Sequence, residues 1–173
     1  PDGDAPITYT AEWSTDPTFN TIQHTNTGAP YQLPNALTTK GETWYVRVKG
    51  TANGLDSDPS ASAQVTIEDT PPTVPSAPVI VPAAPLTTDD LSLQDPPGGS
   101  TDVDGDAITY TVEWSKNGFA TVVTGTTLAA SQTAKGDNWQ VRIKATAGGV
   151  DSPWTAPVGV AIGNTPPTPP TAL

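Results

Sequence analysis

The fold is decided by the stretch DGDAITYTVEW at residues 104 to 114. Its apolar side chains alternate with polar ones and fall on one face: Ile108, Tyr110, Val112 and Trp114. A period of two residues is typical of a β-strand with one buried face. The stretch therefore predicts a strand whose isoleucine-to-tryptophan face lies in a hydrophobic core.

The same stretch occurs earlier as DGDAPITYTAEW at residues 2 to 13, with Pro6 inserted. Two further blocks return in the same order: KGETWYVRVKGTANGLDS (40–57) as KGDNWQVRIKATAGGVDS (135–152), and VTIEDTPPT (65–73) as VAIGNTPPT (160–168). The first copy has a longer middle segment, because its two tryptophans are 31 residues apart and those of the second copy are 25 apart. The pattern predicts two copies of one module that differ in a surface loop.

Composition and pattern together favour an all-β fold. The chain holds 20 prolines and 15 glycines, which suit short strands joined by turns. Beyond the repeated blocks, four segments of the second copy are candidate strands: Val79–Val81, Leu91–Leu93, Thr121–Thr124 and Leu128–Ser131. About seven strands in roughly 95 residues are what a β-sandwich requires.

The charge of the chain excludes some classes of partner. Seven basic residues against eighteen acidic ones give a net charge of −11, which disfavours nucleic acid and anionic membrane surfaces. No apolar run approaches the ~20 residues of a membrane helix, so we expect no membrane insertion. With no cysteine, disulfides and thiolate metal sites are excluded.

The DGDxITYxxxW block, the KGxxWxVxI block and the NTPPT segment resemble the immunoglobulin-like, fibronectin-III-like or cadherin-like repeats of large prokaryotic surface or extracellular filament proteins. The resemblance implies two tandem immunoglobulin-like β-sandwich modules in an extracellular or cell-surface protein. Such modules serve as spacers, adhesins, filament subunits or accessory domains of secreted enzymes, so the resemblance predicts architecture better than function.

The repeat also predicts the domain boundaries. We expect an incomplete module at 1–69, a proline-rich linker at 70–75, a complete module at 76–164 and a second proline-rich segment at 165–173. The first module lacks counterparts of residues 76–101 and so lacks its N-terminal strands. The resulting groove would be filled either by upstream sequence of the same polypeptide or by a strand from a neighbouring copy.

Residues Thr165–Leu173 are the candidate donor in the second case, since they match the start of the segment between the modules. Their prolines argue against a central strand and allow only an edge strand or an extended linker.

Calcium is the one cofactor that the sequence suggests. Asp102, Asp104 and Asp106 place carboxylates at alternate positions around a glycine, and Asp2 and Asp4 are their counterparts in the first copy. Such a run can wrap oxygen ligands around Ca²⁺, although the spacing is not that of an EF-hand. The alternative is a metal-free turn held by aspartate side chains.

A second calcium hypothesis concerns the acidic residues near the module junction. In cadherin-like repeats, calcium at such positions stiffens the connection between modules, so the resemblance implies a weaker candidate site there: Glu68, Asp69, Asp89 and Asp90.

No catalytic site is predicted. Glu12 and Glu113 occupy the same strand position in separate copies, and we expect each to face a basic residue of a neighbouring strand: Arg47 or Lys49, and Arg142 or Lys144. His24 is the only histidine and has no counterpart in the second copy. Trp13, Trp44, Trp114 and Trp139 are expected in the core, which leaves Trp154, Tyr31 and Tyr45 as aromatic residues that could be exposed.

The sequence therefore predicts a non-enzymatic structural repeat of an extracellular filament or adhesin, whose partners are neighbouring copies or upstream modules. One alternative is a carbohydrate-binding accessory region of a secreted hydrolase, with a glycan stacked on Trp154. Another is a surface decoration of a phage or virion.

Overall fold

A computed structural model of the chain describes residues 6–169 and separates them into two compact units, with the boundary between Asp69 and Thr70. We call the parts before and after this boundary unit 1 and unit 2. Asp2 and Asp4, and residues 170–173 of the predicted donor segment, lie outside the described residues.

Unit 1 contains a single antiparallel sheet among residues 6–69. Its strands are β1 (Thr8–Ser14), β2 (His24–Thr27), β3 (Thr43–Ala52), β4 (Leu55–Asp56) and β5 (Ala63–Thr66). They lie in the order β2-β1-β3-β4, with β5 also paired to β3, and a short 3-10 helix at Asn35–Leu37 precedes β3. The register places Trp13 opposite Val46 and Ala11 opposite Val48, so the alternating apolar residues form one face.

Unit 2 contains two antiparallel sheets. The strands are β6 (Ile80–Val81), β7 (Leu91–Leu93), β8 (Thr109–Ser115), β9 (Val123–Thr124), β10 (Thr127–Leu128), β11 (Asn138–Ala147), β12 (Val150–Asp151) and β13 (Val158–Ala161), with a 3-10 helix at Ala130–Gln132. The larger sheet runs β12-β11-β8-β9 with β13 on β11, and the smaller one runs β10-β7-β6. The predicted all-β class is confirmed, and unit 2 is a two-layered sandwich of the immunoglobulin-like and fibronectin-III-like kind.

The core of unit 2 lies between these two layers. Trp114, Val141 and Ile143 of the larger sheet contact Leu91 and three further apolar residues from outside that sheet: Ile80, Leu128 and Ile162. Every one of these side chains is at most 6% exposed. Burying apolar surface in this way supplies most of the stabilisation available to a chain without disulfides.

The proline-rich segment 70–75, predicted to be a linker, belongs to unit 2. Pro72 and Pro75 are buried, and Thr73 N–H donates to Thr101 O at 2.9 Å. Directly after the segment, the Ser76 N–H donates to Gly98 O at 2.9 Å. Proline fixes an extended backbone, which here runs along residues 98–101 instead of standing free.

Neither 3-10 helix of residues 6–169 has the length or apolar character needed to cross a membrane.

The two copies provide a matched test of the role of the second layer. Leu128→Ala should destabilise unit 2 by about 2–5 kcal/mol, because the leucine is fully buried between the sheets. Its counterpart Leu33 is only half-buried, so Leu33→Ala should cost about 1 kcal/mol or less in unit 1. Urea unfolding followed by NMR amide intensities of β3 and β11 resolves the two units. Equal losses from the two substitutions would contradict this account of the core.

Candidate functional site

The apolar face of the unit 1 sheet is the main candidate site. In unit 2 the equivalent positions Val112, Ile143 and Ala145 are at most 5% exposed beneath the smaller sheet. In unit 1, Ala11 and Trp44 are buried, but Trp13, Val46, Val48 and Gly50 are only half-buried. The same alternating pattern has therefore produced a covered face in one unit and a largely uncovered face in the other.

The exposure is greatest at the end of the face formed by the start of β1 and the end of β3. Ile7 is 40% exposed, Tyr9 50% and Leu55 77%. Together with Gly50 and Ala52 they line a groove of about 410 Å³. We call this surface, lined by Ile7, Tyr9, Gly50, Ala52, Leu55, Asp56 and Ser57, the open groove.

One strand of unit 2 has no counterpart among the strands described for unit 1. In unit 2, the strand Thr127–Leu128 pairs with β7, placing Leu128 opposite Leu91. The matching residues of unit 1, Gln32 and Leu33, belong to none of the strands described for that unit. A sheet edge next to an apolar face accepts an additional strand through backbone hydrogen bonds.

Ion pairs lie on the face opposite the apolar one, both in the unit 1 sheet and in the larger sheet of unit 2. Arg47 Nε donates to Glu12 Oε2 at 2.7 Å, and Arg142 Nη2 donates to Glu113 Oε2 at 2.7 Å. Both pairs are direct cross-strand neighbours, which confirms the predicted positions of the two glutamates. Because these carboxylates accept hydrogen bonds from guanidinium groups of the neighbouring strand, they stabilise the sheet.

Aromatic rings stack on the same two arginines. The Arg47 guanidinium lies 4.4 Å from the Phe19 ring centroid, and Arg142 lies 4.1 Å from the Phe119 centroid. Both phenylalanines have positive φ, at 56° and 66°, so each sits at a tight turn after the tryptophan strand. These contacts were not predicted from the sequence, although a phenylalanine after each Glu-Trp strand was a visible signal.

Trp154 is half-buried on this outer face of unit 2. Arg142 lies 4.1 Å from its ring centroid and Lys144 Nζ lies 5.3 Å from it. The ring thus contacts cations of its own sheet, and cation–π contacts of this kind stabilise a fold by about 0.5–1 kcal/mol at exposed sites. This use of the ring favours a structural role over sugar stacking.

Lysine–aspartate pairs secure the hairpin after the long strand in both units. Lys49 Nζ donates to Asp56 Oδ2 at 2.6 Å, and Lys144 Nζ pairs in the same way with Asp151. The lysine hydrogen bond, followed by one from a threonine hydroxyl, holds the pKa of Asp56 and that of Asp151 below the ordinary value. Asp56 is therefore a fixed anion at the rim of the open groove.

The acidic run around Gly105 forms a turn. Asp102 Oδ1 accepts the Asp106 N–H at 2.9 Å, and Asp104 Oδ2 accepts the Thr70 N–H at 2.8 Å. Across residues 6–169, no three acidic or histidine side chains come together as a group that could hold a metal ion. Asp102 and Asp104 accept backbone N–H groups at separate points of the turn, and calcium binding by Asp102, Asp104 and Asp106 stays a prediction. Asp102 Oδ2 is buried without a hydrogen-bond partner.

Three of the acidic residues in the second calcium hypothesis also have local partners. Asp69 pairs with Lys40 at 3.3 Å. Asp89 accepts the Leu86 N–H at 2.8 Å, and Asp90 accepts the Ala130 N–H at 2.7 Å. These bonds hold loops within each unit. The role of calcium at the junction stays a prediction.

His24 lies on β2, where its Nε2 is 3.1 Å from Asn26 Nδ2. The side-chain oxygen of the same residue, Asn26 Oδ1, accepts the Trp13 Nε1–H at 2.8 Å. The histidine therefore belongs to a series of side-chain contacts that orients Trp13 at the edge of the core.

Comparisons with known proteins add little to this geometry. No protein-family model matches the chain, and no curated protein matches it. Among solved structures, the crystal structure of the chicken CNTN1 FN1-FN3 domains matches 95% of this chain at 17% sequence identity, with a TM-score of 0.42. The match covers 59% of that chain. Because likeness at this level carries no functional argument, the fold assignment rests on the sheet topology itself.

Replacing Asp102 distinguishes a metal-free turn from a turn that binds calcium. Asp102→Ala should destabilise unit 2 by about 1 kcal/mol, because Oδ1 no longer accepts the Asp106 N–H. The loss should be the same in calcium and in chelator, measured as the thermal midpoint of unit 2. Asp95→Ala is the control, since Asp95 is exposed. A loss confined to calcium-containing buffer would instead show that the turn binds the metal.

Proposed function

We propose that the chain is a structural repeat segment of an extracellular filament or adhesin, in which the apolar face of unit 1 is covered either by upstream modules of the same polypeptide or by strands from a neighbouring copy. The observation that carries the proposal is the contrast between the two copies. Unit 2 buries its apolar face under a second sheet, whereas unit 1 presents the same face with Tyr9 half exposed.

The polar chemistry of the chain supports a structural role. Glu12 and Glu113 are paired with arginines, and Asp102 and Asp104 accept backbone N–H groups. The acidic groups thus stabilise sheets and turns. A mechanical role needs cooperative modules, and these contacts stabilise the structure within each unit.

The fold also suits tandem assembly. The proline-rich segment before β6 is hydrogen-bonded to unit 2, so the connection between repeats becomes part of the following module. The TPPT residues recur after β13, at 165–168. A recurring segment of this kind allows each module to be joined to the next in the same way.

The mass of the chain in solution tests assembly between subunits. If unit 1 is completed by neighbouring copies, the mass from light scattering should rise above 17.8 kDa as concentration increases. Tyr9→Asp should keep the chain monomeric, since it places a charge on the open groove. Leu37→Asp is the matched control, because Leu37 is exposed outside the groove.

A constant mass of 17.8 kDa at all concentrations would contradict assembly between copies. Repeating the series in calcium and in chelator also tests calcium, because an effect of the metal on mass would show that it takes part in assembly.

A further inference from the structure

We propose that Asn117, in the loop after β8, is a site of spontaneous deamidation, at which the side-chain amide is converted to aspartate or isoaspartate. Asn53, the other asparagine that precedes a glycine, is protected from the same reaction by its turn. The proposal goes beyond the structural function above and does not depend on it.

The reaction needs only an asparagine, the backbone nitrogen that follows it, and water. The nitrogen attacks the asparagine Cγ, and a following glycine hinders this approach least because it has no side chain. The new Cγ–N bond closes a succinimide ring, while the Cγ–Nδ2 bond breaks and ammonia leaves with the proton of the attacking N–H. Water then opens the ring. Opening at Cγ gives aspartate, and opening at the main-chain carbonyl gives isoaspartate, whose backbone runs through the side chain.

Asn53 is held in a conformation that opposes ring closure. Asn53 and Gly54 form the two-residue connection between β3 and β4, with φ of 52° and 76°. Positive φ at both central residues is the type I′ turn of a tight hairpin. The ladder closes directly on both sides of this turn, where Ala52 pairs with Leu55. Ring closure needs a rotation of the asparagine ψ out of the left-handed region, and that rotation would break the pair.

Asn117 lies in the longer loop 116–122 between β8 and β9, and both it and Gly118 are exposed to water. Asn53 is among the described residues with positive φ, and Asn117 is not. Ser115 Oγ accepts the N–H groups of Asn117 and Phe119, each at 3.1 Å, and the attacking nitrogen of Gly118 lies between them in the chain. Within residues 6–169, the Gly118 N–H donates to no backbone acceptor. Solvent base can therefore reach this N–H, and the loop can rotate without breaking a ladder pair.

Unit 1 shows that the aspartate product fits this turn. Asp16 occupies the position of Asn117, since its N–H donates to Ser14 Oγ at 2.9 Å. Its carboxylate accepts the N–H groups of Thr18 at 2.8 Å and Asn20 at 3.1 Å. The hydrogen bond from the Thr18 hydroxyl, followed by the one from the Thr18 N–H, holds the pKa of Asp16 below its ordinary value. The repeat thus accommodates an ionised aspartate at this position.

The isoaspartate product changes the backbone itself. It lengthens the chain between Ser115 and Phe119, which are joined by the hydrogen bond to Ser115 Oγ. The Phe119 ring centroid lies 4.1 Å from the Arg142 guanidinium, and Arg142 donates to Glu113 at 2.7 Å. Isoaspartate at residue 117 therefore disturbs the stacked arginine on the outer face of unit 2.

Ageing the folded 173-residue chain in mildly alkaline buffer, followed by proteolysis and mass spectrometry, measures the reaction at each asparagine. The peptide that contains Asn117 should gain the mass of an amide-to-acid change at least about tenfold faster than the peptide that contains Asn53. In the urea-unfolded chain the two rates should agree within about threefold, since both asparagines then precede a glycine in a flexible backbone.

Two variants serve as controls. Asn117→Gln should abolish the mass gain in its peptide, because the longer side chain closes a larger ring far more slowly. Asn117→Asp supplies the reference for the aspartate product, and a second peptide of equal mass that elutes separately is the isoaspartate product. The proposal is overturned by equal rates at the two sites of the folded chain, by faster reaction at Asn53, or by reaction at Asn117 only after unfolding.

Discussion

The structure depends on covering one apolar sheet face with a second layer. In unit 2, Leu91 and Leu128 from the smaller sheet meet Trp114 and Val141 from the larger one, and all four are fully buried. A small module without disulfides has no other large source of stability, because surface ion pairs contribute about 0–1 kcal/mol each. This layer therefore accounts for the difference in burial between the apolar faces of the two units.

The sheet of unit 1 and the larger sheet of unit 2 have the same strand order. The backbone N–H of Gly50 donates to Ser57 Oγ at 3.0 Å, and that of Ala145 donates to Ser152 Oγ at the same distance. The glutamate–arginine pairs and the phenylalanine rings on the arginines likewise recur in both units. Local contacts of this kind set the register of each sheet, so both units present their apolar residues in the same order.

Several features could be predicted from the sequence because they follow from local pattern. The period of two placed Trp114 on a buried face, and the repeat placed Glu12 and Glu113 opposite arginines. The proline-rich segment 70–75 was expected to be a linker between the modules, since composition indicates an extended backbone without showing what it contacts. Carboxylate spacing did not reveal that Asp102 and Asp104 accept backbone N–H groups, and calcium at the acidic turn stays a prediction. The missing counterparts of residues 76–101 predicted a groove in the first module, whereas the exposure of an individual residue such as Tyr9 depends on tertiary contacts.

Native-state hydrogen exchange of the whole chain tests the central claim most directly, because β3 and β11 carry matched sequences in one molecule. The account predicts that the amides of residues 46–50 exchange at least about tenfold faster than those of 141–145, since opening the uncovered sheet costs at least about 1.4 kcal/mol less. Equal protection of the two strands would contradict the account, because it would show that the unit 1 sheet is as stable without a second layer as the unit 2 sheet is with one.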